Sequence, residues 1–134
     1  MKKHTLTLLI LMICFLFSCK RQKTLEEYII NGENEYWAVW VLPDTIDKMF
    51  DGKYYQFQKD NTFKTLLMRK NELLGIHPIF NKKNSWAVTK DSFFTHNGLK
   101  SKIITINDDA FVLSNEDTLT GEYIHTILLK EKID

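Results

Sequence analysis

Cys19 is the one side chain in this 134-residue sequence whose setting points to covalent chemistry. It closes Leu16-Phe17-Ser18-Cys19, at the end of an apolar run from Leu6 to Phe17 that only Thr7 interrupts. A thiolate is the strongest common nucleophile among side chains, so a cysteine in this place can take a covalent group. The other reactive residues form no constellation. His4 precedes the run, and His77, His96 and His125 are too far apart for metal-ligand spacing and read as surface or turn residues. Asp44, Asp47, Asp51 and the Asp108-Asp109 pair lack the alternation and closing glutamate of a calcium loop, and turns and caps account for them. No Gly-x-Ser-x-Gly, Cys-His pair or phosphate loop is present. The expectation is a protein that is not an enzyme and uses neither metal nor other cofactor.

Lys2 and Lys3 ahead of the apolar run give residues 1–18 the layout of a secretory signal. The run is about a dozen residues, whereas a bilayer-spanning helix takes roughly 20. Leu16, three places before the cysteine, and the small Ser18 directly before it resemble a bacterial lipoprotein lipobox. The spacing suits the chemistry, because a small neighbour lets a peptidase reach the bond in front of the modified thiol. The resemblance implies that residues 1–18 are cleaved and that Cys19 becomes the first residue of the mature chain. It further implies a diacylglyceryl thioether there and an acyl chain on the new amino group. One acyl chain binds a membrane marginally and two anchor it stably, so Cys19 would suffice as the membrane attachment. The absence of acidic residues just after Cys19 implies, by the same likeness, an outer-membrane location facing the periplasm.

Removal of the leader leaves enough chain for one domain. Lys and Arg number 18 against 17 Asp and Glu, and loss of Lys2 and Lys3 keeps the remainder near neutrality. Such a balance offers no field for nucleic acid. Of the two cysteines, Cys14 leaves with the leader and Cys19 is acylated, so the fold must stand on packing without a disulfide. Residues 19–33 read as anchor, tether and short helix, and residues 34–134 as the β domain. Lys20-Arg21-Gln22-Lys23 reads as a solvated tether. Thr24-Leu25-Glu26-Glu27 is a capping box that starts a helix over Leu25 to Ile30, stopped by Asn31-Gly32.

From Glu35 onward the pattern has a period of two. Tyr36 to Leu42 is a strand apolar on both faces: Trp37, Val39 and Val41 on one, Tyr36, Ala38, Trp40 and Leu42 on the other. One face meets the core, and the N-terminal helix is expected to cover the other; an uncovered Trp40 would be a partner site. Asp44 caps a helical turn through Ile46, Met49 and Phe50. Lys53 to Gln58 and Thr62 to Arg69 form a hairpin about Lys59-Asp60-Asn61, with Tyr55 and Phe57 inward. Further strands are expected at Ser85–Thr89, Ser92–Thr95, Lys100–Ile106, Ala110–Leu113 and Glu122–Lys130, giving an all-β antiparallel sandwich or barrel. The stretch Asn71 to Asn84 is long for a connection and reads as an irregular strand or flap on the core, or as a lid.

Tyr55-Gln56-Phe57-Gln58-Lys59-Asp60-Asn61-Thr62-Phe63, Trp37 on an earlier strand, Trp86 on a later one, and Ile103–Ile106 followed by Asn107-Asp108-Asp109-Ala110-Phe111-Val112-Leu113 resemble the small lipocalin-like domains of Bacteroidota-type lipoproteins. The likeness covers roughly residues 34 to 130. It implies an antiparallel meander closing into a barrel or half-open barrel of about eight short strands behind the helix. Two positions depart from the pattern. Glu35 stands where the first strand of a lipocalin has glycine, and Lys130 and Lys132 are all this region offers for the arginine that packs across the tryptophan.

Two readings of function follow. In the first, the domain binds a small apolar ligand lined by Trp37, Tyr55, Phe57 and Trp86. In the second, it is a protein-binding accessory or an inhibitor- or immunity-type subunit of the envelope, and Trp40, Leu74 and Phe80 are its partner or lid residues.

Overall fold

The computed structural model describes residues 21–42, 52–75 and 84–134. Cys19, the turn after Asp44, and Phe80 lie outside them. Helix α1 is Leu25–Ile29, and nine strands follow: β1 Glu35–Leu42, β2 Gly52–Phe57, β3 Phe63–Arg69, β4 Glu72–Gly75, β5 Trp86–Val88, β6 Phe93–His96, β7 Leu99–Ile106, β8 Ala110–Glu116 and β9 Tyr123–Lys132. The chain is all-β, a curled half-barrel whose strands run antiparallel in the order β4-β3-β2-β1-β9-β8-β7-β6-β5. Two meanders, β1 to β4 and β5 to β9, are joined by the long β1–β9 ladder from Glu35↔Lys132 to Leu42↔His125. A bridge between Thr62 and Ser85 brings the start of β3 to the start of β5, and Trp86 N–H donates to Asn61 C=O at 2.9 Å. The sheet therefore curls shut at that end, with β4 left as an edge.

Turn chemistry sets the register. Asn97 (φ 47°) and Gly98 (φ 82°) join β6 to β7 in the left-handed backbone a two-residue hairpin needs. Lys70 (φ 50°) and Asn71 (φ 65°) do the same between β3 and β4 without a glycine, pairing Arg69 with Glu72. Part of the stretch after Asn71 is thus a regular edge strand. In the β7–β8 turn, the Asn107 carboxamide oxygen accepts from Asp109 and Ala110 N–H at 2.9 and 2.8 Å. A bulge in β7 between Ile103 and Thr105 leaves Ile104 and Thr105 both facing outward and returns Ile106 to the inside opposite Phe111.

Directly opposed residues of a sheet share a face, so the pairs Trp37↔Tyr55, Trp37↔Lys130, Val39↔Leu128, Leu128↔Phe111 and Phe57↔Phe63 place all of these inside the curl. One end of the interior is solid with rings. Phe111 meets Trp37 and Phe94 edge-on, with centroids 6.0 and 5.1 Å apart, and Phe57 meets Phe94 and Trp86 at 5.5 and 5.7 Å. Such pairs contribute about 0.5–1.5 kcal/mol each beyond the area they bury.

Helix α1 plugs this end. Its capping box forms as the sequence predicts, with Glu27 N–H donating to the Thr24 hydroxyl and Thr24 N–H to the Glu27 carboxylate at 2.8 Å. Ile29 is fully buried, and its carbonyl accepts from Trp37 Nε1 at 2.8 Å. Lys130 packs across Trp37 from the last strand. Its Nζ lies 4.7 Å from the Trp37 ring centroid and donates to Tyr28 C=O at 3.2 Å. Asn31 extends the lock, with its N–H on Phe57 C=O at 3.0 Å and its side-chain oxygen on Phe57 N–H at 2.7 Å.

The helix therefore covers the Trp37 face and not, as expected, the opposite one. The reason is polar as well as apolar: the indole N–H inside the barrel needs an acceptor, and the end of the helix supplies it. Trp40, on the uncovered face, is 53% exposed.

Candidate functional site

Away from α1 the described residues leave part of the interior unfilled. β1 and β2 pair at Trp37↔Tyr55 and Ala38↔Tyr54, but beyond Ala38 β1 stays with β9 while β2 stays with β3. Val39 and Trp40 have no ladder partner on β2 among the described residues, and the strands part. The result is a cavity of about 520 Å³. Its apolar walls include Val39, Val41, Leu67, Leu113 and Leu128, with Tyr55 and Phe57 at its floor beside the aromatic core. Gly52 borders the parting strands, where the Tyr54 ring lies 3.1 Å from the position a Cβ on residue 52 would take.

Polar groups enter from two sides. Lys53 comes from β2, its Nζ 5.0 Å from the Tyr55 ring centroid. His96, Ser101, Asn115 and Thr126 come from β6, β7, β8 and β9, one on each of four neighbouring strands. The His96 ring stacks on Phe94 with centroids 5.6 Å apart and lies 6.0 Å from both Tyr55 and Phe63. Its Nδ1 and the Asn115 Oδ1 are buried without a hydrogen-bond partner. Leaving a buried polar atom unpaired costs about 1–3 kcal/mol.

Burial pushes the His96 imidazole below its ordinary value, and the Lys53 ammonium adds to the effect. The shift favours the neutral imidazole in the folded state. An unfolded chain takes up that proton first as pH falls, so the contribution of neutral His96 to stability is present above about pH 6.5 and is lost in acid. In urea unfolding between pH 8 and pH 5, the wild-type chain should lose more stability than His96→Gln, and parallel losses would contradict the burial. On the other side of the sheet, burial raises the Tyr54 phenol, with the Glu131 carboxylate adding to the shift.

The residues singled out from sequence divide between three places. Trp37 and Trp86 are in the packed core at the closed end, with Trp86 Nε1 donating to Gln58 C=O at 3.2 Å. Tyr55 and Phe57 border the cavity from that side. Trp40 stands at the edge where β1 and β2 part, and Leu74 faces the same side as Leu67 from the edge strand β4, partly exposed. Lys53, His96, Ser101 and Asn115 were not singled out. Lys53 shares the inward face of Tyr55 and Phe57 by alternation, whereas the direction of His96, Ser101 and Asn115 depends on the register of β6, β7 and β8, and alternation within each strand is too short a signal to reveal it. His96, read as a turn or surface residue, instead contributes to the interior.

Among the described residues, no three His, Cys, Asp or Glu side chains are grouped to hold a metal ion. No helix among them is long and apolar enough to cross a membrane. What the arrangement offers chemically is a mainly apolar chamber with one ammonium, Lys53, one carboxylate, Glu131, and an arc of neutral hydrogen-bonding groups. No family model, curated protein or solved structure matches the chain.

Proposed function

We propose that this chain is a non-catalytic binding protein of the bacterial envelope, held in the outer membrane through acylated Cys19 and facing the periplasm, whose lipocalin-like half-barrel carries or senses one small, mainly apolar molecule. The cavity of about 520 Å³ carries this reading. Ligand pockets run from about 300 to 1,000 Å³ and combine apolar walls with a few placed polar groups. The unpaired atoms of His96 and Asn115 favour a ligand with a hydrogen-bonding group as well as apolar bulk, and Lys53 favours negative charge at one end. The lysine over the tryptophan at the helix-plugged end supports the lipocalin-like resemblance. Native mass spectrometry of the protein purified gently from an envelope fraction tests the proposal. The expected spectrum contains a stoichiometric small mass on the chain. A bare chain that also takes up no fatty acid or haem-like molecule would overturn it.

A second reading rests on the outer face. Trp40, Ile127 and Val112 stand side by side across β1, β9 and β8, with Ala38, Leu129 and Ala110 in the next row. Trp40 and Leu129 are exposed. An apolar patch of this kind fits a protein-binding accessory or inhibitor-type subunit in the envelope. Crosslinking from Trp40 in the envelope would then capture one defined protein partner, while the mass spectrum stays bare.

A further inference from the structure

We infer that the closed, helix-plugged end of the half-barrel rests on the lipid surface and that the cavity mouth points away from it, so that cargo is exchanged with the aqueous phase rather than with the bilayer. The inference rests on the proposed acylation of Cys19 and goes beyond it. Four residues stand between Cys19 and Thr24, and the five steps of chain, fully stretched, reach about 17 Å. The acyl chains start at the boundary of the hydrocarbon, and the headgroup layer takes roughly 5–7 Å of that reach. About 10 Å is left between the surface and the start of α1.

The position of α1 on the domain is firmly set. Trp37 Nε1 and Lys130 Nζ hold its last carbonyls, and Asn31 pairs with Phe57 just beyond it. The described part of the tether follows the same end. Lys23 forms an ion pair with Asp108 in the β7–β8 turn and lies 5.3 Å from the Tyr28 ring centroid, and Arg21 pairs with Glu27 at 3.3 Å. Residues 21–23, exposed to solvent, thus run beside the closed end. None of these exposed pairs is strong, but they run the chain across that end and not up the wall.

The cavity extends toward the other end of the strands, where Val41, Leu67, Leu99, Asn115 and Thr126 line it. β1 has eight residues, about 26 Å of strand, or roughly 20 Å along the axis of a barrel whose strands tilt by about 40°. Inverting the domain to set the mouth on the membrane needs Thr24 about 20 Å above the surface, twice what the tether allows. Leu119, 94% exposed in the turn between β8 and β9, projects beyond that far end.

The test uses the full, acylated chain in vesicles of phosphatidylethanolamine and phosphatidylglycerol carrying a headgroup quencher. Cys14 and Cys19 are the natural cysteines, one removed with the leader and the other acylated, so a fluorophore can be placed uniquely. Lys59→Cys labels the β2–β3 turn at the closed end, and Leu119→Cys labels the far end; both side chains are exposed. Quenching several-fold stronger at position 59 than at 119 is the expected result. Equal or reversed quenching of an acylated chain overturns the orientation alone. A chain whose mass lacks the lipid overturns the acylation and the orientation with it. Inserting roughly 20 Gly/Ser residues before Arg21, with an r.m.s. span of about 25 Å, should abolish the difference, and its persistence would overturn the role given to the short tether.

Discussion

Replacing Trp37 by alanine is expected to lower the free energy of unfolding by about 3–5 kcal/mol, the largest single-residue effect in the domain. The ring is fully buried at the junction of helix and sheet, edge-on to Phe111 and beneath Lys130. Removing it deletes the packing of three elements at once and leaves the Ile29 carbonyl without its donor. Total stabilities of small domains are about 5–15 kcal/mol, so Trp37→Ala should be near the edge of folding. Trp37→Phe separates the two contributions. It keeps most of the ring contact, loses the N–H, and should cost about 1–3 kcal/mol through the unpaired carbonyl. Urea unfolding of both variants, with unchanged denaturant slopes, reads the difference. A loss below about 1 kcal/mol for Trp37→Ala would mean that the plugged end does not hold the fold.

The second large effect belongs to the open end. Val39→Trp should reduce affinity for an amphipathic probe, anilinonaphthalene sulfonate, by at least about tenfold, equivalent to ~1.4 kcal/mol. Val39 faces the cavity opposite Leu128 and has no ladder partner on β2 among the described residues, so the larger ring has space to enter. Overpacking a filled core costs about 1–3 kcal/mol, and because this substitution enters a void its cost in stability should fall below that range. Trp40→Ala, one residue along on the outer face, is the companion: probe affinity should change little, while capture of a protein partner would be lost under the alternative reading. Fluorescence titration of the three chains measures both. Equal affinity in Val39→Trp and the wild type would place probe binding outside the cavity.

Local chemistry was the legible part of this chain. The capping box at Thr24, the turns at Lys59-Asp60-Asn61 and Asn97-Gly98, and the alternation in β2 and β3 each state their own structure within a few residues. β4 was hidden because its turn uses Lys70-Asn71 in a conformation that glycine normally announces. The side of the sheet taken by α1 was also hidden, since both faces of β1 are apolar and the deciding contact is one indole N–H with a carbonyl eight residues earlier. Alternation shows which residues of a strand share a face. It does not show where two strands part, and among the described residues β1 and β2 pair only as far as Ala38, beside the cavity. The polar arc had the same obstacle, because His96, Ser101 and Asn115 converge through the β6–β7–β8 register.

The cavity as binding site is tested most directly by methyl NMR of the folded domain, titrated with anilinonaphthalene sulfonate and then repeated on protein carrying whatever cargo the envelope supplies. Shifts concentrated on Val39, Val41, Leu67, Leu113 and Leu128, with Ile127 and Leu129 unmoved, are the predicted result. Shifts confined to Ile127, Leu129 and the Trp40 indole would contradict it and assign the outer face as the working surface.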